Sequence, residues 1–291
     1  MTRVPAVLGP TAVGKSRVAF ELALALGREI VVADSRQVYR RLEIATNKPL
    51  PEERTRVRYH GLDLAEPEGG FNVHQYVAAV APVLASRPVV VEGGSNLYVD
   101  ALLDGLTLAG VPPNPDRRAE LEQLATADLA AMVRSLDPAA ELDYSNRRRL
   151  VRAIEVLEAA GPPLSALRRR VKPPWEAIRI GLELPREELA ARIADRCRTQ
   201  LERGLVAETR QALADGVAAG SQALSGTGYA ETVAFLQGRV SEAELPELMA
   251  ANNRRLAKRQ LTWLRRDPRI AWFAAVPDPL PAILSYLETN V

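Results

Sequence analysis

The chain has 291 residues, of which 47 % are hydrophobic and 25 % charged, and these proportions exclude a disordered or fibrous protein. No apolar run approaches the roughly 20 residues that a membrane-spanning helix needs, and the opening residues do not resemble a signal peptide, so we expect a cytoplasmic protein without a membrane anchor. The single cysteine, Cys197, and the two histidines, His60 and His74, exclude a disulfide framework and a four-ligand structural zinc site.

The first elements along the chain predict a parallel α/β sheet. Residues 4–8 have the pattern of a buried strand and are followed by a glycine-rich turn and a helix. Two more apolar runs, 30–33 and 88–91, end in polar residues, which are Asp34 in one case and Glu92 in the other. Because buried parallel strands present ligand-facing groups at their carboxyl ends, we expect both tips to face one ligand.

Prolines shortly after residue 108 mark a boundary, and charged helical patterns without a strand follow them. We therefore interpret residues 111–176 as an inserted helical subdomain, with 1–110 and 177–291 forming the α/β core and its helical C-terminal part. A strand over 178–184 returns the chain to the sheet. The remaining helices are predicted at 186–203, 205–215, 229–237 and 241–266.

Positive charge is unevenly distributed, although the formal net charge is only +2. Residues 252–269 contain seven lysines and arginines against Asp267 alone. Residues 146–172 contain only Glu155 and Glu158 against eight basic residues, namely Arg147, Arg148, Arg149, Arg152, Arg168, Arg169, Arg170 and Lys172. Such clusters indicate either phosphate contacts with a nucleic acid or a solvated helix face.

The segment GPTAVGKS matches the pattern of a phosphate-binding loop between a strand and a helix. Gly9 and Gly14 let backbone amides approach phosphate oxygens, Lys15 reaches the outer phosphate, and Ser16 can ligate Mg²⁺. We call this segment the phosphate loop, and all of its residues are predicted to bind the diphosphate: Gly9, Pro10, Thr11, Ala12, Val13, Gly14, Lys15 and Ser16.

A phosphate loop alone is also typical of kinases and NTPases, in which a neighbouring strand ends in an Asp that holds Mg²⁺. The candidates here are Asp34 and Glu92. Residues 33–49, the substrate loop, are dense in hydrogen-bonding side chains, which indicates that Asp34 belongs to a substrate site. By residue type alone Asp34 is equally a turn residue. Glu92 either holds a water on Mg²⁺ or pairs with a neighbouring Arg.

Several segments occur in the order seen in one family: GPTAVGKS, ADSRQVYRRLEIATNKP, VVVEGGSNLYVDALLDGL, RRLVRAIEV with GPPLS, and LAKRQLTWLRR. The chain thereby resembles the tRNA dimethylallyltransferases over nearly its whole length. The resemblance implies a P-loop NTPase-like sheet flanked by helices that is used for prenyl transfer. The donor would be dimethylallyl diphosphate, the acceptor an anticodon-loop adenine of tRNA, and the cofactor Mg²⁺.

The resemblance also implies roles for individual residues. Asp34 would accept the proton of the attacking amine, and Thr11 would donate its hydroxyl to a donor oxygen. Positions that match RNA-contacting positions of the family are Ser35, Arg36, Gln37, Ser95 and Arg117. Asp34 is also predicted to bind the tRNA. Under this interpretation the basic clusters supply phosphate contacts, from the helix over 254–266 and from the edge of the insertion, where the predicted tRNA-binding residues are Asn146, Arg147, Arg148, Arg149 and Leu150.

One departure from the family pattern concerns a basic residue. Many relatives have Arg or Gln where this chain has Ser225, and a basic residue where it has Ala230. We expect the missing charge to come from the helix over 241–266, and the candidates are Arg254, Arg255, Lys258 and Arg259.

Two other functions remain open from the sequence. An adenylate isopentenyltransferase uses the same chemistry on free AMP, ADP or ATP, but it has no need of a helical insertion with basic clusters. A kinase or NTPase would transfer a phosphoryl group instead. We expect a monomer.

Overall fold

The computed structural model describes residues 2–107, 110–112, 114–161, 163–167 and 169–290. Arg168, which belongs to the first basic cluster, lies outside these ranges. None of the described helices is long and apolar enough to span a membrane.

Strands and helices alternate along the first half of the chain and helices dominate the second. The strands are β1 (Thr2–Leu8), β2 (Glu29–Ala33), β3 (Tyr59–His60), β4 (Val89–Gly93), β5 (Leu106–Thr107), β6 (Arg169–Arg170), β7 (Trp175–Glu183) and β8 (Ala271–Ala274). The α-helices are α1 (Lys15–Leu26), α2 (Pro51–Arg56), α3 (Val73–Ser86), α4 (Asn96–Asp104), α5 (Pro115–Leu121), α6 (Thr126–Leu136), α7 (Arg147–Ala160), α8 (Arg186–Glu202), α9 (Leu205–Ala214), α10 (Tyr229–Leu236), α11 (Leu245–Leu264) and α12 (Leu280–Asn290).

The main sheet has six parallel strands in the order β3-β2-β4-β1-β7-β8. Its central strands β1, β2 and β4 are apolar and almost entirely buried, as expected for a parallel sheet covered on both faces. This architecture confirms the predicted α/β fold of parallel strands flanked by helices.

The register of the central strands brings the chemistry-bearing tips together. Gly93 at the end of β4 pairs with Leu8 on one side and with Ala33 on the other. The phosphate loop follows Leu8 and Asp34 follows Ala33. The sequence predicted that Glu92 follows the strand, but it is the penultimate residue of β4. All three features therefore reach the same edge of the sheet.

The backbone around α1 shows why glycine is needed at its start. Gly14 precedes the helix with φ 103°, a left-handed conformation that residues with a Cβ adopt at a cost. The turn aligns the first amides of α1 with the phosphate loop, while Val18, Ala19 and Leu22 are buried. The phosphate loop is thus anchored by the buried face of its own helix.

A separate helical unit comprises Asp104–Lys172, and the rest of the described chain forms the sheet unit. The core of the helical unit is apolar, with Leu121, Leu129, Leu150 and Ile154 completely buried. Its bounds correct the predicted insertion of 111–176 at both ends. β5 pairs with β6 and so belongs to the helical unit, whereas Trp175 pairs with Thr2 in the main sheet.

The predicted C-terminal helices agree with α8, α9, α10 and α11 to within a few residues. Two elements of this C-terminal part were not predicted from the sequence. β8 adds an edge strand beside β7, and α12 follows it. Four residues of β8 are too short a run to show a period, and their strand conformation depends on pairing with β7.

Candidate active site

A cavity of about 290 Å³ lies at the carboxyl edge of the sheet, within the sheet unit. Its walls come from the phosphate loop, the ends of β2 and β4, the substrate loop, α8 and α11. The polar side chains that line it include Thr11, Lys15, Ser16, Asp34, Arg36, Gln37, Glu92, Arg196, Asn253 and Gln260. Sequence reasoning had identified all of these except the last three.

Lys15 is held inside the phosphate loop. Its Nζ donates to the Pro10 carbonyl oxygen at 2.7 Å. Surrounding protein atoms disfavour the charged form and lower the pKa of Lys15 to about 8, although the negative charges of Glu92 and Asp34 oppose that shift. The lysine is therefore preorganised beside the loop amides, with acidic groups close enough to support its charge.

Gln260 of α11 ties the phosphate loop to the end of β4. Its Oε1 accepts from the Thr11 amide at 2.8 Å, and its Nε2 donates to the Gly94 carbonyl oxygen at 2.7 Å. A Cβ at Gly94 would lie 2.7 Å from that Nε2, so only glycine leaves room for the bridge. Gln260 is thus a positioning residue for the loop.

Arg196 of α8 brings a second cation to the phosphate loop. Its Nη2 donates to Thr11 Oγ1 at 2.7 Å and to Asn253 Oδ1 at 2.9 Å. Its Nε is buried without a hydrogen-bond partner, and burial lowers the pKa of the guanidinium. A buried donor without a partner is costly, so the free N–H favours an anionic ligand at this position.

Glu92 places a carboxylate beside Lys15 and Ser16. Its side chain is only 4 % exposed, accepts a hydrogen bond from Ser16, and has no partner at Oε2. Burial raises the pKa of Glu92 to about 7 against the opposing effects of Ser16 and Lys15. None of the ion pairs found among the described residues joins Glu92 to an arginine, so one of its two predicted roles lacks support.

Asp34 begins the substrate loop with a tight turn. Its Oδ1 accepts from the Arg36 amide at 2.7 Å, which is the turn geometry that the residue type alone suggested. The side chain also lines the cavity, so the turn is compatible with the predicted place of Asp34 in a substrate site. The neighbouring Ser35 amide donates to Ser95 Oγ at 3.0 Å, which links the tips of β2 and β4.

Buried polar contacts fix the rest of the substrate loop. Lys48 is buried, and its Nζ donates to Asp63 at 2.5 Å and to Glu43 at 2.7 Å. Gln37 is also buried and donates to the Thr46 carbonyl oxygen at 3.2 Å. This part of the cavity wall is thus prearranged rather than open to rearrangement.

The basic side chain beside Ser225 is that of Arg36, whereas the sequence predicted one from α11. Its Nη1 donates to Ser225 Oγ at 3.2 Å and to the Gln222 carbonyl oxygen. The side of α11 that lines the cavity carries Asn253 and Gln260 together with Leu256. The four basic residues of α11 that were predicted to supply the missing positive charge do not line the cavity, because they fall between these positions on the helix. They are Arg254, Arg255, Lys258 and Arg259. The cations that do line it include Arg36 and Arg196.

In the helical unit, several predicted RNA contacts have structural roles. Asn146 caps α7 by accepting from the Arg149 amide at 3.2 Å. Arg147 donates to carbonyl oxygens at the end of α5, including that of Glu122 at 2.5 Å. Leu150 is completely buried, so its side chain packs in the core of the helical unit and does not support a contact with RNA.

Arg148 and Arg149, at the start of α7, differ from the other arginines that were predicted to bind RNA in the helical unit. Arg117 forms ion pairs with Glu120 and Glu158, both at 2.7 Å. Arg148 and Arg149 are exposed, and neither side chain forms a hydrogen bond or ion pair with the described residues. They are therefore the members of the predicted RNA-binding set whose guanidinium groups remain available for phosphate.

Similarity to known proteins identifies the family of this chain. A family model described as "IPP transferase" matches residues 37–267, which is most of the chain. The chain belongs to the IPP transferase family. The match begins at Gln37, after the phosphate loop and Asp34, and includes the rest of the substrate loop, the helical unit and α11.

Relatives of this IPP transferase family member extend over its length. A protein of Thermomicrobium roseum named tRNA dimethylallyltransferase is 39 % identical, over 93 % of this chain and 85 % of the relative. One of Syntrophobacter fumaroxidans with the same name is 40 % identical, over 92 % and 82 %. The crystal structure of a tRNA isopentenylpyrophosphate transferase from Bacillus halodurans has a TM-score of 0.75 and 30 % identity, over 100 % of this chain and 97 % of the other.

The missed residues share a signal that the sequence does contain. On α8, Arg196 lies three residues after Ile193 and four before Gln200, which places it next to the buried stripe of the helix. On α11, Asn253 and Gln260 stand among the buried positions themselves. Polar side chains at buried helical positions need partners, and a search for them would have found these three.

Proposed function

We propose that this IPP transferase family member transfers a dimethylallyl group from dimethylallyl diphosphate to the exocyclic amine of an anticodon-loop adenine in tRNA. The observation that carries the proposal is one cavity with two chemistries. The phosphate loop with Lys15 and Arg196 forms one part of its lining, and the carboxylate of Asp34 forms another. The names of the relatives support the same donor and acceptor.

The cationic side of the cavity suits a diphosphate leaving group. Negative charge grows on the diphosphate as the allylic carbon–oxygen bond breaks, and fixed donors stabilise it without reorganising. Lys15 and the unpartnered Nε of Arg196 supply charge, while Gln260 keeps the loop amides in place. Thr11 Oγ1 accepts from Arg196 and is left with its own proton to donate to a donor oxygen.

The acidic side of the cavity suits the attacking amine. The exocyclic amine of adenine is a weak nucleophile that becomes acidic as the new carbon–nitrogen bond forms. A carboxylate within hydrogen-bond reach orients the amine and then accepts its proton. Asp34 fits this role because its Oδ1 is fixed by the Arg36 amide, which leaves Oδ2 for the substrate.

Mg²⁺ fits the donor set at the phosphate loop. Ser16 supplies a hydroxyl, and the buried, unpartnered Oε2 of Glu92 is an oxygen of the kind that Mg²⁺ prefers. When bound, the metal would add positive charge to the leaving group.

A tRNA acceptor accounts for features that a mononucleotide leaves without a purpose. The adenine must leave its stack to enter a cavity, so an enzyme of this kind grips the RNA backbone and receives a flipped base. Exposed Arg148 and Arg149 suit phosphate contacts. Ser35, Arg36, Gln37 and Ser95 remain candidates for contacts near the flipped base.

Labelled dimethylallyl diphosphate tests the proposal against its rivals. The purified protein is incubated with Mg²⁺ and either tRNA lacking the modification or AMP. We expect the label in tRNA, at an adenine that nuclease digestion places in the anticodon loop. Label in AMP instead would favour an adenylate isopentenyltransferase. Hydrolysis of ATP without any prenyl transfer would favour a kinase or NTPase.

A further inference from the structure

Glu92 stands out because a carboxylate interrupts an apolar strand. Val89, Val90 and Val91 precede it in β4, and all are buried. Burying a charged or polar group is costly unless partners compensate. Ser16 supplies one hydrogen bond, but Oε2 has none, so the protein alone does not satisfy this side chain.

The topology gives this position a meaning. β4 lies directly beside β1, the strand that leads into the phosphate loop, and Glu92 pairs with Val7 in the register. In P-loop NTPases Mg²⁺ is held by the Ser or Thr of the phosphate loop and by a carboxylate on a neighbouring strand. Glu92 touches the equivalent hydroxyl, that of Ser16, and lines the same cavity.

We propose that Glu92 supplies the protein carboxylate of the Mg²⁺ site, with Ser16 as its partner ligand and the diphosphate of the donor completing the site. The inference rests on the proposed function, since it concerns the metal of the same diphosphate. In this arrangement the metal ligand comes from β4, and Asp34 is available to accept the proton of the attacking amine. The two carboxylates of the cavity thereby have separate tasks.

A different role for Glu92 predicts a different measurement. If Glu92 only balanced the charge of Lys15, its removal would change diphosphate affinity equally with and without metal. A carboxylate that binds the metal couples the two ligands, so its removal weakens metal binding and leaves metal-free diphosphate binding unchanged or tighter. The metal affinity of the diphosphate complex therefore separates the two roles.

The experiment uses Mn²⁺ as a paramagnetic probe and inorganic diphosphate as the anion. Electron paramagnetic resonance gives the Mn²⁺ affinity of the full-length protein saturated with diphosphate, and calorimetry gives diphosphate affinity without metal. For Glu92→Gln we expect Mn²⁺ affinity to fall about 10- to 100-fold, the loss typical of altered metal-site partners. Glu92→Asp, which keeps the charge, should retain more of the affinity than Glu92→Gln.

Glu52→Gln is the matched control, because Glu52 is exposed on α2 and does not line the cavity. Mn²⁺ affinity of Glu92→Gln within twofold of the wild type would overturn the proposal. If Glu92→Gln does not fold, Glu92→Val takes its place, because it continues the run of valines in β4. The same loss of Mn²⁺ affinity is expected for it. Failure of the wild type to prenylate tRNA, with the Mn²⁺ result intact, would overturn the proposed function and leave the metal assignment standing.

Discussion

Asp34 combines a structural and a chemical task in one side chain. Its Oδ1 holds the turn that follows β2 by accepting from the Arg36 amide, and its side chain lines the cavity. Substitution by Ala therefore removes both tasks together. Substitution by Asn keeps an oxygen for the turn but has no proton affinity to serve as a base, so the two variants separate the tasks.

We expect Asp34→Asn to lower the single-turnover rate of prenyl transfer by roughly 10²–10⁴-fold, the range for a lost general base. Its tRNA affinity and melting temperature should stay near the wild-type values. Asp34→Ala should lose the same rate and also some stability, because the Arg36 amide loses its acceptor. A near-normal rate for Asp34→Asn would remove this residue from proton transfer.

Arg196 is expected to bind the diphosphate directly. Arg196→Gln removes the cation that contacts Thr11 and should weaken inhibition by inorganic diphosphate by tenfold or more, with a similar rise in the KM for the donor. Steady-state kinetics with both ligands measures this. Arg198→Gln is the control on the same helix, because Arg198 is exposed, pairs with Asp195 and does not line the cavity. Equal effects of both variants would contradict a direct contact.

At the scale of elements, the sequence predicted what depends on local pattern. The phosphate loop, the strand tips and helices α8 to α11 depend on patterns in contiguous residues, so they were found close to their observed bounds. Arg196 and Gln260 were not, because each reaches the phosphate loop from more than 180 residues away in the sequence. The N-terminal end of the insertion was missed since β5 and β6 have two residues each and exist only as a pair, and the C-terminal end was missed because Trp175 joins the main sheet by pairing with Thr2.

The bridge from α11 to the phosphate loop should contribute to both stability and donor binding. Gln260→Ala leaves the buried Gly94 carbonyl oxygen and the Thr11 amide without a partner, which costs about 1–3 kcal/mol per group. Urea unfolding should report a loss of that order, and the KM for the donor should rise. Lys258→Ala, at an exposed position two residues earlier, should change neither. Unchanged stability of Gln260→Ala would mean that water replaces the bridge.

The start of α7 allows RNA contacts to be separated from helix packing. Arg148→Ala with Arg149→Ala should weaken tRNA binding and reduce its dependence on salt, with a change in the log–log slope of about 1.4 to 1.8. Arg147→Ala should instead lower the melting temperature, because it removes donors from the end of α5. Filter binding at several salt concentrations, together with thermal denaturation, checks both expectations. An unchanged slope in the double variant would assign these arginines to a solvated face.

At the scale of the whole molecule, chemistry and positive charge are distributed over two units. The cavity, with every residue proposed for the reaction, belongs to the sheet unit, whereas the exposed Arg148 and Arg149 of α7 belong to the helical unit, which has its own core. The net charge of +2 is too small to attract RNA by itself, so local clusters must do so. Small and large ligands should therefore leave different traces on the two units.

Hydrogen exchange read by mass spectrometry tests this expectation. Inorganic diphosphate with Mg²⁺ should slow exchange of peptides that cover the phosphate loop and the start of α1, because their amides acquire phosphate partners. It should leave peptides over 146–152 unchanged. An unmodified tRNA should slow exchange in that segment as well as in the substrate loop, while AMP should not affect it. If tRNA protected only the sheet unit, the helical unit would have no part in binding the acceptor, and the adenylate reaction would regain support.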